Sequence, residues 1–450
     1  MQGSRLEVES LLPPLVAVAL SILVGRLVVV HATLGIALVV AIPLVVLAVY
    51  LSGRLPLLPM ILIPVSLLGL ALPKSAEIAL EVALAAVASW WLLAAFLRHE
   101  MPAAALAALC VPLLWLVFLL NANVPDLHTG MLGVRKATLP FVGLALGLLW
   151  PGASRKRATR AIPWLLLGAG IANLAIHLGA PSIESGFVRS GDVYTSLFAG
   201  VHRMQGLYSG PFHVALLGVF LALFGWQQIV GGALRRGALF LAPGLLLTYF
   251  SEVRSAYLVI VAGVILLGVF GRPASPGKWL RVGAQFGLLA CVVALVFAFD
   301  SPKDTALSSI TGLGQEQRAL GRLQQWSIAE SMVVASPAFG AGPGSAGSTL
   351  DQQFSGRLHV TSHDSALTFL VEGGVLGFSL VLLVCVLTFR SARRWLSTPH
   401  PGVVAAISLL GMSLTNNIEE AAPICVLLAI LVGLRRETVT VPPASPRRNV

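Results

Sequence analysis

Long apolar runs separated by short polar breaks dominate this chain. They begin near Leu11, Leu34, Leu57, Ile78, Ala103, Leu132, Ile162, Tyr208, Ala238, Tyr257, Val282, Ala366, Gly402 and Ile424. Crossing a bilayer takes about 20 apolar residues per helix, and the runs before Leu97 crowd together, so the pattern predicts about 12–14 transmembrane helices. The expected fold is an all-α polytopic bundle with a large helical loop on one face.

Composition removes the alternatives. Of 450 residues, 57% are hydrophobic and 11% charged, where soluble domains average about 45–50% and about 25%. A soluble enzyme, a disordered chain and a coiled coil are excluded; the mean hydropathy of +0.88 agrees. A net charge of +11 would point to nucleic acid in a soluble protein. Among membrane spans it reflects the bias of Lys and Arg toward cytoplasmic ends, so no nucleic-acid partner is expected. With the N-terminus inside, nineteen of the 30 Lys and Arg fall on the inner side, ten on the outer side, and Arg26 lies within a span. Both termini are therefore expected in the cytoplasm.

The cysteines (Cys110, Cys291, Cys385 and Cys425) sit inside apolar runs without zinc spacing or a disulfide framework. The first run continues into further spans and lacks a small-residue cleavage site, so no removable signal peptide is expected.

Residues 1–299 are expected to form an N-terminal bundle with an outer loop at about 180–207. A large outer loop follows over 300–365, then C-terminal spans over 366–434 and a disordered tail over 435–450. The large loop is too polar to span and too long for a connector, which makes it the place to look for function. Within it, Leu320, Leu323, Trp326, Ile328 and Met332 give Gln315–Ala335 a helical period. Pro337 ends that helix, and Gly340, Gly342, Gly344 and Gly347 mark a flexible turn.

The outer face carries cations whose positions invite chemistry: Arg189, Arg203, Arg254, Arg318 and Arg322. Arg254 interrupts an apolar region in Ser251-Glu252-Val253-Arg254-Ser255-Ala256-Tyr257. A charge near membrane depth faces a protein interior, a polar cavity or a counter-ion. Arg254 either pairs with Glu252 in a short loop or binds an anion, for which a guanidinium offers two parallel hydrogen bonds. Arg203 precedes a span and serves either as an interfacial anchor or in a direct role. Arg318 and Arg322 lie four apart on one helix face, as solvated decoration or a second anion contact; Arg322, just before Trp326, is the better placed. His363, in Thr361-Ser362-His363-Asp364-Ser365, is either structural or a base, since imidazole accepts protons near neutrality. His359 is close by. There is no His/Cys cluster, no metal-spaced carboxylate pair and no P-loop. The glycines after Gly340 are weak evidence for a phosphate cradle. A transferase built on these residues works without nucleotide, cofactor or metal.

Four of these pieces occur in a known order. Arg203-Met204-Gln205-Gly206-Leu207 with Pro211 resembles the Arg-x-x-Gly-Leu…Pro segment of the O-antigen ligase and polymerase superfamily. Ser251 to Ala256 is similar to its Ser-x-x-Arg-[Gly/Ser]-Ala motif. Arg322 to Trp326, with Pro337, Gly340, Gly342 and Gly344, resembles its Arg-x-x-x-Trp…Pro-x-x-Gly-x-Gly run. His363-Asp364-Ser365-Ala366-Leu367 through Glu372 to Gly377 resembles His-Asn-x-x-Leu…Glu-x-Gly-x-x-Gly, with Asp364 where the family shows Asn.

The resemblance implies a GT-C-like inner-membrane glycosyltransferase with its site facing the periplasm. Its donor would be an O-antigen on undecaprenyl pyrophosphate and its acceptor the lipid A-core, among membrane lipids. Arg254 and Arg322, then Arg203 and Arg318, would hold the pyrophosphate, and His363 would be the base of an inverting transfer. An O-antigen polymerase, a protein O-oligosaccharyltransferase and a lipid-linked glycan transporter are the alternatives.

Overall fold

A computed structural model describes residues 74–98, 101–182, 184, 197–198, 201–208, 210–270, 283, 317–347, 360, 364–390, 400–418 and 421–435. The runs at Leu11, Leu34, Leu57 and Val282 lie outside the described residues. In chain order the helices are α1 (Lys74–Leu97), α2 (Ala103–Phe118), α3 (Leu127–Leu149), α4 (Gly152–Gly179), α5 (Pro211–Val230), α6 (Leu234–Ser251), α7 (Arg254–Phe270), α8 (Gln317–Ala335), α9 (Ser365–Phe389), α10 (Pro401–Ser413) and α11 (Ala422–Gly433). A two-residue antiparallel hairpin, β1 (Leu197–Phe198) with β2 (Val201–His202), precedes α5. The protein is an all-α polytopic membrane protein. Among the described residues, α3, α4, α5 and α9 are long and apolar enough to cross a bilayer, and shorter apolar helices accompany them.

Two buried helices organise the bundle. α5 is enclosed nearly throughout, from His213 to Gln227, by α6, α7, α10 and α4. Its tightest neighbour is α6, where Gly218 and Gly225 face Gly244 and Gly237. Small residues let two backbones approach closely, which drives helix association where lipid removes the hydrophobic contrast. α3 plays the same part for α1, α2 and α11. α10 and α11 pack together and join the two groups, while α9 packs on α2 through Phe369 edge-on to Trp115, ring centroids 5.8 Å apart. Leu113, Val117, Leu258, Leu382 and Val386 are exposed, the disposition of side chains that meet lipid rather than water.

Polar termini collect at one end of this bundle. There the residues before α5 bond to the α6–α7 turn, the turn after α10 bonds to the starts of α7 and α9, and the loop after α8 bonds to α9.

Candidate functional site

The first part of the site is a turn held from below. α6 ends at Ser251, Glu252 follows in the left-handed region with φ 51°, and α7 begins at Arg254. A non-glycine residue there is strained and persists only where its surroundings impose it. The imposing segment is 203–208. Met204 N donates to Phe250 O at 2.9 Å, and Arg203 Nε donates to Ser251 O at 3.0 Å. The Arg203 guanidinium also lies over the Phe212 ring, 5.7 Å from its centroid. Arg203 is 6% exposed, whereas Arg254, three residues beyond Ser251, is exposed.

Segment 203–208 is itself fixed by a buried carboxylate. Glu184, fully enclosed, accepts from Gln205 N and Gly206 N at 2.7 Å each. Its other oxygen meets His177 Nδ1 at 2.7 Å. Burial pushes the Glu184 carboxyl up, but the bonds from His177, Gly206 and Gln205 outweigh it and hold the group below its usual 4.5. Asn173 Oδ1 accepts from Leu207 N at 2.7 Å. Gly206 has φ 59°, and a Cβ there would overlap the Asn173 side-chain oxygen, so the glycine of the Arg-x-x-Gly pattern is required both by conformation and by space.

The second part is the start of α9. Asp364 caps it, its Oδ1 accepting from Ala366 N at 2.8 Å and Leu367 N at 3.2 Å. Asn would cap equally well, so the departure from the family pattern at this position is a conservative exchange of helix caps. Ser365 Oγ donates to Asn416 O at 3.0 Å and accepts from Ile418 N at 3.2 Å. Asn416 Nδ2 donates to Ser255 Oγ at 3.0 Å, and Thr368 Oγ1 donates to Asn417 Oδ1 at 3.3 Å. The residue after Arg254 is thus joined through one asparagine to the second residue after His363.

The third part explains the glycines. The loop after α8 wraps the middle of α9: Ala341 N donates to Val371 O and Gly342 N to Glu372 O. Buried Glu372 accepts from Gly344 N and from Trp115 Nε1, both at 2.9 Å. The loop therefore holds a carboxylate of the protein itself rather than cradling a phosphate. α9 breaks at Gly374 (φ 59°, ψ −163°), where a Cβ would press on Ala338 and Gly340. The same loop reaches Val360, whose carbonyl accepts from Gly347 N at 2.9 Å. Ala329 and Met332 of α8 join Ala341, Ala346, Val360 and Val371 in a separate apolar cluster, which docks α8 on α9.

Arg203 and Arg254 therefore meet at one turn, and that turn is tied to the start of α9. Arg322 is exposed on α8, seven residues before Ala329 and so about 10 Å along the helix from the docked part. The Arg318 side chain, His363, His359 and Arg189 lie outside the described residues, although Val360 and Asp364 flank His363. Among the described residues no His/Cys/Asp/Glu group could hold a metal ion. Glu184, His177, Asn173 and Asn416 were not singled out in the sequence, and Glu372 entered only as part of a motif, without a role. Polar residues breaking apolar stretches were the available signal, but their partners are distant in the chain.

No curated protein matches the chain. Residues 238–382, from within α6 to within α9, match the family model described as O-antigen ligase. That stretch carries the α6–α7 turn, α8, the glycine loop and the start of α9, and over this part the chain is similar to the O-antigen ligase superfamily.

Proposed function

We propose that this protein is an O-antigen ligase, moving O-antigen polysaccharide from undecaprenyl pyrophosphate to lipid A-core oligosaccharide in the inner membrane. Both termini lie in the cytoplasm and the site faces the periplasm. The supporting observation is convergence: stretches around Arg203, Arg254, Gly340 and Ser365, far apart in sequence, are hydrogen-bonded into one end of the bundle.

In this reading an acceptor hydroxyl attacks the anomeric carbon from the side opposite the leaving group. The new glycosidic bond forms as the bond to pyrophosphate breaks, inverting that centre. The hydroxyl proton passes to His363, and undecaprenyl pyrophosphate departs with the bonding pair. Arg254, exposed at the head of α7, binds the pyrophosphate and stabilises its growing charge; in a partly dry cleft such a fixed guanidinium is worth several kcal/mol, of order 2.7–4. Arg322, with Arg318 on the same helix, adds a contact from α8. Arg203 acts from beneath, holding the turn and adding its field. These residues supply the charge stabilisation without cofactor or metal.

The test is transfer by the purified protein in liposomes containing undecaprenyl-pyrophosphate-linked glycan and lipid A-core. Glycosylated lipid A-core supports the ligase. Growth of the lipid-linked glycan alone would mean a polymerase. A His363→Ala protein that still moves lipid-linked glycan across the bilayer, in the absence of any transfer by the wild type, would mean a transporter.

A further inference from the structure

Asn416 is nearly fully enclosed, 2% exposed, in the turn that closes α10. Its side-chain nitrogen donates to Ser255 Oγ at 3.0 Å and Thr415 Oγ1 at 2.9 Å. Its carbonyl accepts from Ser365 Oγ at 3.0 Å. One residue thus touches the second residue of α7 and the first residue of α9. Its neighbour adds a second contact to α9, because Asn417 Oδ1 accepts from Thr368 Oγ1.

The Asn416 Oδ1 atom is different. It is buried and, among the described residues, has no hydrogen-bond partner. A buried amide oxygen without a donor costs free energy, and native proteins keep such groups rarely. An asparagine kept for stability alone would gain nothing from this atom, since an apolar residue would remove the cost. Strained or unsatisfied groups of this kind cluster where function fixes the geometry.

We propose that Asn416 is a positioning residue: it sets the separation and orientation of the α7 start, which carries Arg254, relative to the α9 start. Its effect passes through Ser255 on one side and Ser365 on the other. Neither arm requires Asn416 to touch substrate. The inference rests on the glycosyltransferase reading, since it assigns Asn416 to the alignment of that reaction.

Misalignment by about 1 Å can cost a reaction of the order of 100-fold without abolishing binding. The experiment is steady-state transfer in liposomes of undecaprenyl-pyrophosphate-linked glycan to lipid A-core, with wild type, Asn416→Ala, Ser255→Ala and the double variant. Thermal unfolding in detergent is measured on each. The expected result is kcat lowered about 10- to 100-fold in Asn416→Ala, with KM for the donor within about twofold and the unfolding midpoint little changed. Ser255→Ala should reproduce part of this loss, and the double variant should be no worse than Asn416→Ala, because the two residues act through one bond.

Wild-type kcat in Asn416→Ala, or a rise in KM at constant kcat, would overturn the proposal. So would an activity loss that only tracks the loss of folded protein. Should Asn416→Ala fail to fold, Ser255→Ala decides by the same kcat and KM criteria. Absence of transfer by the wild type would instead overturn the glycosyltransferase reading, and this inference with it.

Discussion

The Nε of Arg203 donates to the carbonyl oxygen of Ser251 at 3.0 Å across 48 residues of chain. This bond joins the segment before α5 to the turn that presents Arg254, and it satisfies the last carbonyl of α6, an end group without an intrahelical partner. Two arginines of one predicted cation cluster therefore have different surroundings: Arg203 is buried beneath the turn and Arg254 is exposed on it.

Replacing them should separate these roles. Arg203→Ala leaves the Ser251 carbonyl unpaired and is expected to cost about 1–3 kcal/mol of stability, with a fall in the unfolding midpoint in detergent. Arg254→Ala should leave the midpoint nearly unchanged and lower transfer about 100-fold or more. Thermal unfolding and turnover measured on the same preparations check both.

Gly206→Ala should destabilise by about 2–4 kcal/mol, combining left-handed strain with the loss of the Asn173 bond to Leu207 N. Gly321→Ala on exposed α8, where a Cβ meets nothing within 4 Å, is the control and should be neutral or slightly stabilising. Unfolding midpoints of the two variants give the comparison.

Glu372 offers a graded series. Glu372→Ala deprives Trp115 Nε1 and Gly344 N of their acceptor and should cost roughly 2–5 kcal/mol. Glu372→Gln keeps one accepting oxygen and should fall between wild type and alanine. Tryptophan emission would report the change directly, because Trp115 is buried against Phe118 and Phe369.

Glu184 predicts an acid limb. Its carboxyl is held below its usual 4.5 in the folded protein, so the unfolded chain binds the proton more readily. Stability from this group is complete above about pH 4.5 and is lost as pH falls through the lower folded value. Unfolding followed from neutral pH downward should show this loss, and Glu184→Gln should flatten it.

Among the described residues the sequence made the helices legible because apolar runs map onto helices almost one to one. Ala103, Ala366, Gly402 and Ile424 fall within two residues of observed starts. The run at Ile162 began ten residues late: α4 opens at Gly152, and its first turns carry Arg155, Lys156, Arg157 and Arg160, which hydropathy reads as loop although the backbone is helical. The site was legible as separate motifs and not as contacts. Gly340, Gly342 and Gly344 were visible as a turn, but the partner of Gly344 is Glu372, 28 residues on. Asn416 and Asn417 were visible as a polar break in the run from Gly402, but Ser255 lies 161 residues earlier. Periodicity carries no information about such pairings.

The most direct measurement is the lipopolysaccharide banding pattern of a strain lacking this gene, complemented with wild type or with His363→Gln. The ligase reading predicts lipid A-core without O-antigen in the deletion strain, a full ladder restored by wild type, and none restored by His363→Gln. A full ladder without the gene, or one restored by His363→Gln, would contradict it; lipid A-core bearing a single repeat in the deletion strain would identify a polymerase instead.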